Sequence, residues 1–170
     1  MDFINFEITD ICAGWFDVAF ITKQKELKIS ASDVWGNDSP KYFLRMLIDF
    51  LEDRADSAYV TFDEEPGVNV VAIEKNEGYV LSVLYTEFDE GITRYIPLQG
   101  SLTREQLKSS VPEIEELFFE GDFSFVAFCR AVLRSFEEYL WNERKAEYEE
   151  AWMEFPDEEF CKLKSLLDTI

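Results

Sequence analysis

The sequence predicts an α+β protein: an antiparallel β-sheet of about six to seven strands, packed against one central helix and two or three C-terminal helices. Three observations carry this reading. Apolar residues alternate with polar ones through residues 2–30, turn signals ending in Gly punctuate residues 57–98, and helical periodicity with clear start signals dominates residues 103–168. The 170 residues show no linker, repeat or low-complexity stretch, so one domain spanning 1–170 is expected.

Each element has a local cause. Ile4, Phe6 and Ile8 share one side of an extended chain, then Phe16, Val18 and Phe20 do the same, followed by Leu27 and Ile29. These predict two or three half-buried strands. In "NDSPKYFLRMLIDFLED", Ser39 is the expected N-cap, Pro40 suits the first turn, and Phe43, Leu44, Leu47, Ile48 and Leu51 form one face of a helix over 39–53. The turns "EEPG", "KNEG" and "DEG" then separate four strands at 57–62, 68–74, 79–87 and 92–98, a meander extending the N-terminal strands. In such a meander Asp63, Glu64 and Glu65 fall on the same rim as Asp89 and Glu90. Pro97, which donates no ladder hydrogen bond, fits a strand end or edge.

"LTREQL" contains a capping box between Thr103 and Gln106, with Leu102 placed to staple onto Leu107. A loop through "PEIEELFFEGD" is expected to lead into a long helix from about Asp122. Its first half places Phe125, Phe128, Cys129, Val132, Leu133, Phe136 and Leu140 within a sector of about 140°. Over "NERKAEYEEAWMEF" the same face turns acidic, with Glu143, Glu147, Glu150 and Glu154 inside that sector, while Trp141, Tyr148, Trp152 and Phe155 gather nearly opposite. Four carboxylates entering a core without partners would cost several kcal/mol each, so the geometry must change. Either the helix breaks near Asn142, or it runs past the sheet and a final helix covers its aromatic side. The second is expected, because Pro156 starts another helix whose Phe160, Leu163, Leu166 and Leu167 form an apolar strip.

Charge narrows the function. With 16 Lys and Arg against 36 Asp and Glu, the formal net charge is −20; residues 1–110 and 111–170 each carry −10, so acidity is not a detachable tail. Such a surface repels nucleic-acid phosphates and anionic lipid and attracts a basic protein. No apolar run is long enough for a membrane span, and "MDFINFEITD" has no secretory pattern, which predicts a cytoplasmic protein. Cys12, Cys129 and Cys161, far apart and odd in number, read as buried thiols rather than a disulfide or zinc framework.

Catalytic chemistry finds little to stand on. The chain has no His, which removes the commonest general base and the imidazole metal ligand, and it has no phosphate-loop, dinucleotide or nucleophile-elbow motif. Neither an enzyme nor a cofactor is predicted. The rim of Asp63, Glu64, Glu65, Asp89 and Glu90 is where carboxylate chemistry or a divalent cation would be sought, although acidic residues are ordinary in turns. Trp15 and Trp35 read as pocket lining or as core and rim packing, and Tyr85 with Tyr95 as a cross-strand pair.

Three stretches, "GWFDVAFI", "DSPKYFLRMLIDFL" and "YVTFDEEPGVNVVAIEKNEGYVLSVL", give residues 14–87 an order that resembles small bacterial immunity proteins associated with secreted toxins. The resemblance implies a cytoplasmic inhibitor that occludes a toxin, often a basic nuclease. It supplies no residue-level site. The charge reading therefore names the candidate contacts: Glu143, Glu147, Glu150 and Glu154 first, the acidic rim second. The expected function is a non-enzymatic, immunity- or antitoxin-like binding protein that masks a basic partner. A regulatory domain binding a small molecule or divalent metal between sheet and helices is the alternative, and mimicry of DNA phosphate spacing a third. Against all three stands the plain reading of a charge run as a solvated face.

Overall fold

The computed structural model describes residues 2–87 and 91–170. It is α+β, as expected, but its eight antiparallel strands form two sheets rather than one. The first holds β1 (Asn5–Cys12), β2 (Trp15–Ile21) and β3 (Glu26–Ser32), in that order. The second is built from β4 (Ser57–Asp63), β5 (Gly67–Lys75), β6 (Tyr79–Glu87), β7 (Gln99–Gly100) and β8 (Glu115–Gly121), in the order β7-β4-β5-β6-β8. Alternation reports which face a strand buries and not which ladder it joins. The link from β3 to β4 is a helix, α1 (Ser39–Leu51), so no hairpin forces those strands to pair.

The two sheets share a core. Phe6, Phe16, Val18 and Phe20 of the first and Val60, Phe62, Val71, Ile73, Leu81 and Val83 of the second belong to one apolar cluster. Against this cluster stand α1 and α3 (Phe125–Glu137): Phe43 reaches both sheets, 5.4 Å from Phe6 and 6.2 Å from Phe62, and Phe128 packs 6.4 Å from Phe20 of the first sheet and 6.3 Å from Phe43, centroid to centroid. The second sheet is also covered on its other face. Tyr59, Val70, Ala72 and Leu84 pack there under Ile92, Ile96, Leu107 and Val111. Burial on both faces is why β5 reads as a nearly unbroken apolar run.

Three element predictions fail for identifiable reasons. Residues 92–98 are not a strand: Ile92–Arg94 form a 3-10 turn, and Ile96 N–H bonds the Ile92 carbonyl at 3.1 Å. Ile92 and Ile96, four apart, bury the same side of that turn, a spacing that strand alternation shares. The chain meets the β4 edge only at the end of this segment, where the Leu98 carbonyl accepts from Thr61 N–H and β7 pairs with Tyr59 and Val60. Tyr85 and Tyr95 are therefore not neighbours across strands. The segment read as a loop is β8, an edge strand on β6, with Phe118 buried while Leu117 and Phe119 stand outward. The long helix is broken into α3, a 3-10 turn at Glu138–Leu140, and α4 (Arg144–Ala151), followed by α5 (Asp157–Asp168).

Energetics favour that break. Asn142 takes a left-handed φ of 56°, which costs roughly 1–2 kcal/mol for an ordinary residue and less for Asn. Burying four unpaired carboxylates would cost several kcal/mol each. The cap of α1 also differs by one position: Asp38 accepts from Lys41 N–H, freeing the buried Ser39 hydroxyl to donate to the Thr61 carbonyl at 2.7 Å. The Thr103–Gln106 capping box forms as expected on α2 (Arg104–Ser110). Of the cysteines only Cys129 is buried, where desolvation pushes its thiol up; Cys12 and Cys161 are exposed, against expectation, on outward sides of β1 and α5.

Candidate docking surface

A short helix needs anchors, and α4 has two. Tyr148, its one fully buried residue, sits against Phe16 (5.7 Å), Tyr139 (5.6 Å) and Phe155 (5.1 Å). Just past its end the main chain leaves helical geometry at Trp152, whose ring packs on Phe16 and whose Nε1–H donates to Asp38 Oδ1 at 3.0 Å. Asp38 thus holds two elements at once, capping α1 and orienting Trp152. Burial raises its carboxyl above the usual range, against the lowering pull of those two donors.

With Tyr148 and Trp152 turned inward, the acidic side of α4 turns out. Glu147 and Glu150 are exposed on the helix and Glu143 is exposed at its N-cap position. Glu154 is exposed too, but in the segment between α4 and α5, so the expected single stripe is divided. The change of path at Trp152 is the reason. Among the described residues none of these four carboxylates accepts a hydrogen bond or an ion pair. The cations beside them are engaged elsewhere. Arg144 lies over the Tyr139 ring at 4.5 Å and near Glu138, while Lys145 grips both oxygens of Asp157 at 2.9 and 2.7 Å.

The turn rim behaves differently. Asp63 Oδ1 accepts from Glu65 N–H at 3.2 Å, Glu64 accepts from the buried Asn69 amide at 2.9 Å, and Glu65 accepts from the Ser32 hydroxyl at 3.1 Å. These acids hold the β4–β5 turn together, and burial raises the Asp63 carboxyl. Asp89 and Glu90 lie outside the described residues. Among the described residues no three His, Cys, Asp or Glu side chains come together as a metal site requires. The cleft between α1 and α5 holds the ion pairs Arg45–Glu159 (2.8 Å) and Lys162–Glu52 (2.6 Å). Among the described residues no helix is long and apolar enough to cross a membrane.

Two main-chain bonds and one side-chain bond connect the end of α4 to the β4–β5 turn, a link that sequence reasoning missed. Gly14 N–H donates to the Ala151 carbonyl at the end of α4 (2.8 Å), and the Gly14 carbonyl accepts from Asp33 N–H (2.9 Å). Next to Asp33, Ser32 reaches Glu65. Gly14 is required here: its φ is 83°, and a Cβ would meet Asp33 Oδ1 at 2.6 Å. Between the acids lies the turn Asp33–Gly36, closed by Gly36 N–H to the Asp33 carbonyl at 2.8 Å. Trp35 on that turn is 77% exposed. The spacing of Asp33 and Gly36 in "SDVWGN" was the available signal. No protein-family model, curated protein or solved structure matches this chain.

Proposed function

We propose that this chain is a non-enzymatic acidic binding protein, immunity- or antitoxin-like, that masks a basic protein through complementary charge. The observation that carries the reading is that Glu143, Glu147, Glu150 and Glu154 are exposed and receive no cation from the described residues, while Arg144 and Lys145 are directed elsewhere. Glu143 and Glu147, four apart, repel by roughly 0.2–0.5 kcal/mol while the α4 N-terminus attracts them, and Glu150 and Glu154 lie beyond that first turn, so stability gives little reason for the row. A cationic surface supplies one: unneutralised carboxylates focus field and accelerate encounter, whereas nucleic acid and anionic lipid are repelled by the net charge of −20.

The test is association kinetics against a panel of cationic nucleases, with inhibition of nuclease activity as a second readout. A cognate on-rate should fall at least tenfold between about 50 and 500 mM salt as screening shortens to a few ångström. The Glu147→Lys/Glu150→Lys chain should associate more slowly at low salt and lose most of that salt dependence. An on-rate indifferent to salt, or a reversed chain that binds and inhibits as well as the original, refutes the reading.

A further inference from the structure

We infer that the Asp33–Gly36 turn is the anchor of the docking face and that its Trp35 indole receives an arginine guanidinium of the basic partner; this rests on the acidic-docking reading above. Turn corners ordinarily carry Gly, Pro, Asn, Asp or Ser, which tolerate solvent and tight dihedrals. Here the two corner positions are Val34, 54% exposed, and Trp35, 77% exposed. The backbone is well specified: Gly36 at φ 65° closes the turn, Val34 N–H bonds the Ser32 hydroxyl at 3.2 Å, and Asp33 N–H is held by Gly14. A fixed turn thus presents a large apolar ring to water, left largely uncovered by the described residues.

Its surroundings choose the occupant. Glu65 is tied to one side through Ser32, and the end of α4 with Glu150 is tied to the other through Gly14, with Glu154 three residues beyond Ala151. An apolar partner would have to strip water from these carboxylates without replacing it. A guanidinium meets both demands, because it stacks flat on an indole while its five N–H groups point outward to carboxylates. An ammonium is a compact, strongly hydrated charge that gains less from the ring. Trp and Arg are also the residues that most often dominate the energetics of protein interfaces.

Titration of the full chain with deca-arginine and decalysine tests this, comparing the original protein with Trp35→Ala and with Glu150→Lys/Glu154→Lys. The original should prefer deca-arginine by about two- to fivefold beyond charge alone, the size of an exposed cation–π contact. Trp35→Ala should erase that preference and leave decalysine binding and the urea unfolding midpoint unchanged. The double reversal should weaken both peptides. If Trp35→Ala keeps the preference, or weakens both peptides alike, the guanidinium anchor is wrong while the acidic surface stands. If the double reversal weakens neither, the docking reading itself fails at this face.

Discussion

Helices α3 and α4 follow one another in the chain and bury opposite kinds of surface. In α3 seven of thirteen residues are buried, and Phe128, Cys129, Val132 and Phe136 fill the space between the sheets. In α4 only Tyr148 of eight is buried, and Glu147 and Glu150 face out. The pair teaches that a change of sign on one helical face can be resolved by resetting the phase. A single left-handed residue, Asn142, lets each segment present its own apolar side to the same core.

The largest effect should come from breaking the α3 side of this contrast. Phe128→Ala is expected to cost about 3–5 kcal/mol in urea unfolding, whereas Glu147→Ala should stay within about 0.5 kcal/mol. A small loss at Phe128 would mean that α3 is not the core helix described. Next comes the joint: Asn142→Ala should cost about 1 kcal/mol while Asn142→Gly stays within a few tenths, because only the second accepts a positive φ freely. Equal unfolding midpoints for the two would remove the phase reset from the account.

A pH series sharpens the contrast at the point where α4 meets α1. The Asp38 carboxyl is raised above 3.8 by burial, so the folded state holds its proton more tightly than the unfolded chain. The stability linked to that proton is complete below about pH 3.8 and declines as pH rises through the folded value. Asp38→Asn keeps an acceptor for Lys41 and Trp152 without the charge. Relative to the original, it should be near neutral at the acid end and increasingly favourable towards pH 7. A difference that stays flat, or runs the other way, contradicts the burial described. The smallest effect belongs to Glu147→Lys/Glu150→Lys, which should shift stability by no more than about 0.5 kcal/mol, upward at low salt. A loss beyond 1 kcal/mol, about twice that bound, would make these carboxylates structural instead of free.

Local signals carried much of the fold. The alternation at Phe16, Val18 and Phe20, the Thr103–Gln106 box and the Pro156 start each depend on a few adjacent residues, and each has its counterpart in the structure. The failures were non-local or ambiguous. Ladder membership depends on partners far along the chain, which is why two sheets read as one. Ile92 and Ile96 fit a helical turn and a strand equally well, and an edge strand such as β8 buries too little to show a clean pattern. For the docking surface, angle alone aligned Glu143, Glu147 and Glu150, and the cost of burying carboxylates required that they turn outward. The union of that row with the β4–β5 turn was not, because it depends on Gly14 meeting both Ala151 and Asp33.

That last junction has a mechanical meaning. An isolated eight-residue peptide would be mostly unwound in water, and loosely held acids would have to surrender freedom on contact. The β1–β2 hairpin clamps the end of α4, so the array is stiff beforehand and an incoming molecule need not order it. Gly14→Ala, which alters none of Glu143, Glu147, Glu150 and Glu154, should therefore slacken the whole array at once.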